Sequence, residues 1–162
     1  MKSKWSASFF ICQLLLLLAI VLAGCKEADE GKGNQMSLMQ ATNPAPVSIG
    51  DKPKDTSTVQ KVKEDVMAFD EIYDVAVVKG KKDILVAYKV KHLERFRMKD
   101  IEKNITKRLE KDFPKENFTV SSDYKIFLEA VQLKEDMKQP DFSDKQAEKR
   151  LKSIISLQKE KT

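Results

Sequence analysis

Histidine and cysteine are nearly absent: one His and two Cys in 162 residues. That stock is too small for a Cys/His metal site or a disulfide-stapled scaffold. Glycine and proline number five each, which excludes a collagen-like or Gly/Pro-driven chain. No P-loop, no G-x-G-x-x-G and no G-x-S-x-G is present. The chain also lacks a long apolar run. Its longest, Phe9 to Ala23, has 15 residues interrupted by Gln13, against the roughly 20 that a membrane-crossing helix needs. What remains is 41% hydrophobic, enough to exclude wholesale disorder, and of a length that suits one small domain with accessory segments.

The short apolar run follows Lys2 and Lys4, with no acid before it, and ends in Leu22-Ala23-Gly24-Cys25. A positive start, a short greasy core and small residues form an export signal. The last four residues resemble a lipobox, the cleavage and lipidation site of bacterial lipoproteins. The resemblance implies cleavage between Gly24 and Cys25, removal of residues 1–24 with Cys12, and a diacylglyceryl thioether on the Cys25 sulfur. Two acyl chains would hold the chain on the extracytoplasmic side of the cell membrane, at about 0.8 kcal/mol per buried CH₂. The mature chain would then carry no thiol, and 28 basic against 25 acidic side chains.

Residues 25–57 hold three of the five glycines and three of the five prolines, no aromatic residue and no sustained apolar period. They read as a disordered tether. Periodicity begins after Ser57-x-x-Gln60, a capping-box pattern, with Val59, Val62, Val66 and Phe69 at helical spacing, predicting a helix over about 58–70. Tyr73–Val78 and Ile84–Val90 flank Lys79-Gly80-Lys81-Lys82 and predict a β-hairpin. Met98, Ile101, Ile105, Leu109 and Phe113 predict a helix over about 97–112, stopped by Pro114. Phe118–Val120 predicts a third strand. Ser122 or Asp123 is placed to cap a helix bearing Ile126, Phe127, Ala130, Leu133 and Met137. Ser143-x-x-Gln146 opens a last one. The order α-β-β-α-β-α-α predicts an α+β domain over 58–138, a two-layer unit with a three-stranded sheet covered by helices on one face, followed by a charged C-terminal helix over 139–162. The crossover through the second helix predicts that the second and third strands run parallel.

Charge is uneven. Residues 79–111 carry 12 basic and 5 acidic side chains, while 25–78 carry 6 and 10. Lys99, Lys103, Lys107 and Lys111 recur every four residues, and Lys79, Lys81 and Lys82 crowd the turn. This is either a solvated face paired locally with Asp100, Glu102 and Glu110, or a surface that attracts anionic lipid or wall polymer within about 10 Å. Nucleic acid is a poor partner, because no aromatic residues interleave with the lysines. His92 stands among Lys91, Glu94 and Arg95 and reads as a solvated loop residue. No catalytic set and no cofactor site is apparent, so a non-catalytic protein is expected.

Lipobox, tether, helix, then Asp74-Val75-Ala76-Val77-Val78, Ala87-Tyr88-Lys89-Val90 and Val120-Ser121-Ser122-Asp123 resemble, over residues 57–138, the YhcN/YlaJ family of sporulation lipoproteins. The Lys-rich turn and charged last helix depart from that family's pattern. The resemblance implies a membrane-anchored spore protein without enzymatic activity, supporting germination or envelope assembly through contacts with spore-membrane or germination proteins. The alternative is an envelope-binding module whose basic face contacts anionic lipid or cell-wall polymer.

Overall fold

The computed structural model describes residues 43–50 and 53–160, all within one compact unit, Gln35–Thr162. The expected signal segment, Gly24, Cys25 and residues 26–42 of the expected tether lie outside the described residues. The elements are β1 (Val47–Ser48), α1 (Pro53–Met67), β2 (Ile72–Lys79), β3 (Asp83–Val90), a 3₁₀ segment (His92–Arg97), α2 (Met98–Asp112), β4 (Asn117–Ser121), α3 (Tyr124–Asp136) and α4 (Asp144–Glu160).

β2 and β3 form the predicted hairpin, antiparallel from Ile72 opposite Val90 to Lys79 opposite Ile84. β4 pairs parallel to β3, Asp83 opposite Asn117 and Ala87 opposite Ser121, as the crossover through α2 requires. The α+β class and the order of the predicted elements hold, with two corrections. A fourth strand, β1, pairs parallel to the outer side of β2, giving the order β1-β2-β3-β4. And the helices cover both faces of the sheet. Val75, Val77, Ile84, Val86 and Tyr88 pack with Val59, Val62 and Val66 of α1 and Ile101, Ile105 and Leu109 of α2. The alternate residues Ala76, Val78, Leu85 and Ala87 pack with Ile126, Phe127 and Ala130 of α3 and Leu151, Ile154 and Ile155 of α4. Strands apolar on both parities expose greasy surface on both sides, so one helical layer cannot cover them.

The folded unit also starts earlier than residue 58. α1 begins at Pro53, where a fixed φ and a missing N–H suit the first helical turn. Ser57 and Gln60 therefore lie inside the helix rather than at its cap, and Gln60 Nε2 donates to Glu64 Oε1 at 2.8 Å. Before α1, Ile49 is buried and its N–H donates to the Lys79 carbonyl at 2.8 Å. Two bonds fasten the stretch that leads to β1. The Asn43 N–H donates to Asp74 Oδ1 at 2.7 Å, and Lys63 Nζ, buried on α1, donates to the Pro44 carbonyl at 2.7 Å. At the other end of the unit, Ser143 and Gln146 form the predicted capping box: the Ser143 N–H donates to Gln146 Oε1 at 2.8 Å, and the Gln146 N–H donates to Ser143 Oγ at 3.4 Å.

Candidate functional site

The turn from β4 to α3 is held by its own polar side chains. Ser121, the last residue of β4, is fully buried; its hydroxyl donates to Gln158 Oε1 of α4 at 2.7 Å and accepts the Asp123 N–H at 3.1 Å. Asp123 is the cap of α3, accepting the N–H groups of Lys125 at 2.7 Å and Ile126 at 3.3 Å. Across from this turn runs α2. Its buried stripe, Ile101, Ile105 and Leu109, fixes the rotation of the helix. Lys99, Lys103 and Lys107, spaced by four, therefore share another face.

Between the turn and that face lies an open groove of about 730 Å³, lined by Met98, Lys99, Glu102, Lys103, Thr106 and Lys107 of α2, by Ser121, Ser122 and Asp123, and by Gln158. Glu102 gives the groove its electrostatic character. Burial raises its pKa above the usual glutamate value, while hydrogen bonds from the Ser122 backbone and side chain oppose the rise. Tyr88, fully buried on β3, has its phenol pKa pushed far above normal by burial and then by the Glu102 charge, and its hydroxyl donates to the Met98 carbonyl at 3.4 Å. Lys99, Lys103 and Lys107 thus share the recess with two carboxyl side chains, Glu102 and Asp123.

The predicted basic residues divide three ways. Lys99, Lys103 and Lys107 meet at the groove. Lys111, exposed in the last turn of α2, is about 18 Å from Lys99 at 1.5 Å per residue and does not line it. Lys81 and Lys82 are exposed at the hairpin turn, near the opposite end of the sheet. Lys79 corrects its reading as a surface cation: it is buried and ion-paired with Glu116, with Asp55 at 3.9 Å. Lys89, near the end of β3, is buried too. Its Nζ lies 3.1 Å from Asp74 Oδ2, at ion-pair distance without hydrogen-bond alignment, and 4.0 Å from the centre of the Phe127 ring. His92 lies exposed on the 3₁₀ segment, outside the groove.

The periodicity did not reveal Leu93 and Phe96, which are 84% and 97% exposed on the 3₁₀ segment. The alternation of apolar and charged residues in Leu93-Glu94-Arg95-Phe96-Arg97 was the available signal. Among the described residues, no group of three or more His, Cys, Asp or Glu side chains is placed to hold a metal ion, and no helix is long and apolar enough to cross a membrane. Comparison with protein-family models, with curated proteins and with solved structures gives no match.

Proposed function

We propose that this chain is a lipid-anchored, non-catalytic protein of the bacterial spore envelope, its α+β unit supporting germination or envelope assembly through contacts with spore-membrane or germination proteins. The observation that carries the reading is Leu22-Ala23-Gly24-Cys25 standing directly after a positively charged start and a 15-residue apolar stretch too short to span a bilayer. The likeness of Ala87-Tyr88-Lys89-Val90 and Val120-Ser121-Ser122-Asp123 to the YhcN/YlaJ sporulation lipoproteins supports the placement in the spore. Mass spectrometry of the membrane fraction tests the anchor. The expected species begins at Cys25 and carries a diacylglyceryl group; an intact 1–24 segment with a bare Cys25 sulfur would overturn it. Spores lacking the protein are expected to germinate slowly, and normal rates with every germinant would overturn the role.

A second reading, an envelope-binding module, is favoured by Lys99, Lys103 and Lys107 meeting along one groove. A fragment for this test has to begin at Asn43, since β1 and its fastening bonds belong to the folded unit. It is expected to sediment with anionic wall polymer at low salt and to release at high salt. Charge reversal at the three lysines should abolish retention, and unchanged retention would reject the reading.

A further inference from the structure

The 3₁₀ segment between β3 and α2 contains a leucine and a phenylalanine and buries no residue at all. Leu93 and Phe96 stand 84% and 97% exposed, and three more large apolar side chains near this end of the sheet are also open: Tyr73, Met98 and Tyr124. Tyr73, Met98 and Tyr124 line one recess of about 560 Å³ together with Lys89, Val90, Arg95 and Ser122. Scattered single exposures are ordinary; a cluster of this kind on one end of a small domain marks a contact surface. The charges around it give the partner's sign. From Lys91 to Lys99 the chain carries Lys91, Arg95, Arg97 and Lys99 against Glu94 alone. All four are exposed, and Arg97 is ion-paired with Glu94 at 3.2 Å.

A third observation comes from the stretch before β1. Because β1 runs parallel to β2, the chain preceding it lies at the start of β2, and Asn43 is bonded there to Asp74. Asp74 stands opposite Lys89 in the register, and the Lys91 N–H donates to the Glu71 carbonyl at 2.8 Å. The point where the N-terminal 42 residues join the described unit is therefore at the same end of the sheet as Leu93 and Phe96.

We infer that Leu93 and Phe96 insert into the interfacial layer of an anionic bilayer, with Lys91, Arg95 and Lys99 on the lipid headgroups, so that this end of the domain faces the membrane. Apolar tips ringed by cations are the chemistry of an interfacial contact: apolar area goes below the headgroups and the cations pair with them. The inference rests on the anchored reading only for bringing the domain to a bilayer.

The test follows one indole. In the full chain carrying Trp5→Phe and Phe96→Trp, residue 96 holds the sole tryptophan, so its emission reports that position however else the chain is attached. Vesicles of phosphatidylcholine with about 30% phosphatidylglycerol are compared with phosphatidylcholine alone, each with and without brominated lipid. The expected result is a blue shift and bromine quenching on the anionic vesicles only. Lys91→Gln with Arg95→Gln should lower the ratio of inserted to free indole on the order of 30-fold, from about a factor of five per cation near the surface. Leu93→Trp with Trp5→Phe provides a second position with the same expectation. A water-exposed indole on chains that float with anionic vesicles would overturn the insertion and leave the anchor intact. An inserted indole on chains with a bare Cys25 would sustain the insertion and remove the anchor. Shielding without lipid that grows with protein concentration would assign the surface to a second copy and overturn the proposal, as would equal insertion into both vesicle types.

Discussion

The hairpin of β2 and β3 and the 3₁₀ segment that follows it treat polarity in opposite ways. The hairpin buries three charged side chains, Asp74, Lys79 and Lys89, and gives each an opposite charge within 4 Å: Asp74 with Lys89, and Lys79 with Glu116. The 3₁₀ segment leaves Leu93 and Phe96 almost wholly in water and buries neither. Buried charge that is paired is explained by the fold, because removing either partner strands the other in a low-dielectric interior. Exposed apolar surface has no such internal explanation. The contrast separates residues that hold the unit together from residues that serve something outside it, although both lie in the same basic stretch.

The largest expected effect is on the hairpin side. Asp74→Ala leaves Lys89 buried without its carboxylate and Asn43 without its acceptor, and is expected to cost about 3–5 kcal/mol in denaturant unfolding. Adding Lys89→Met should recover part of that loss, since an apolar chain can pack on the Phe127 ring. A single-variant cost below about 1 kcal/mol would break the contrast. Next comes Gly80→Ala in the hairpin turn. A methyl group there would meet Leu151 Cδ2 at 2.7 Å and the Glu148 carboxylate at 3.1 Å, so overpacking of about 1–3 kcal/mol is expected, and a neutral result would mean that α4 gives way.

Glu102 should sharpen the picture through pH. Its pKa is raised in the folded state, so the folded protein holds that proton more tightly than the unfolded chain. Stability contributed by this group is present below the ordinary value of 4.5 and is lost as pH climbs through the raised one. Glu102→Gln should flatten that part of a thermal-melt profile across pH, and an unchanged slope would contradict the burial argument. The smallest effect belongs to the 3₁₀ segment. Leu93→Ser and Phe96→Ser should each leave stability within about 0.5 kcal/mol of the parent, because neither side chain is packed. A loss of 2 kcal/mol or more would place them in the core instead.

Much of this fold was legible in local patterns. The hairpin, α2, α3 and α4 follow from apolar spacing, and Ser143 and Gln146 cap as their spacing predicts. β1 was not legible, because a two-residue strand has no period of its own and exists through pairing with β2, some 30 residues on. The two-sided cover was written in Val75-Ala76-Val77-Val78, apolar at every position, yet a strand with Lys89 and Lys91 at its end mimics a solvent-facing parity. The same local view concealed Lys79 and Lys89, whose partners Glu116 and Asp74 come from elsewhere in the chain. Of the candidate groove, the α2 lysines were visible as an i, i+4 row. Ser121, Ser122 and Gln158 were not, since only the packing of β4 and α4 brings them opposite that row.

The two bonds at Asn43 and Pro44 have a mechanical meaning. Any tension arriving from residues N-terminal to Asn43 falls first on the Asp74 carboxylate and the Lys63 ammonium, before it can reach the edge strand. These attachments sit on β2, buried along nearly its whole length, and on the buried face of α1, so a tug is shared out into the interior instead of unzipping the rim.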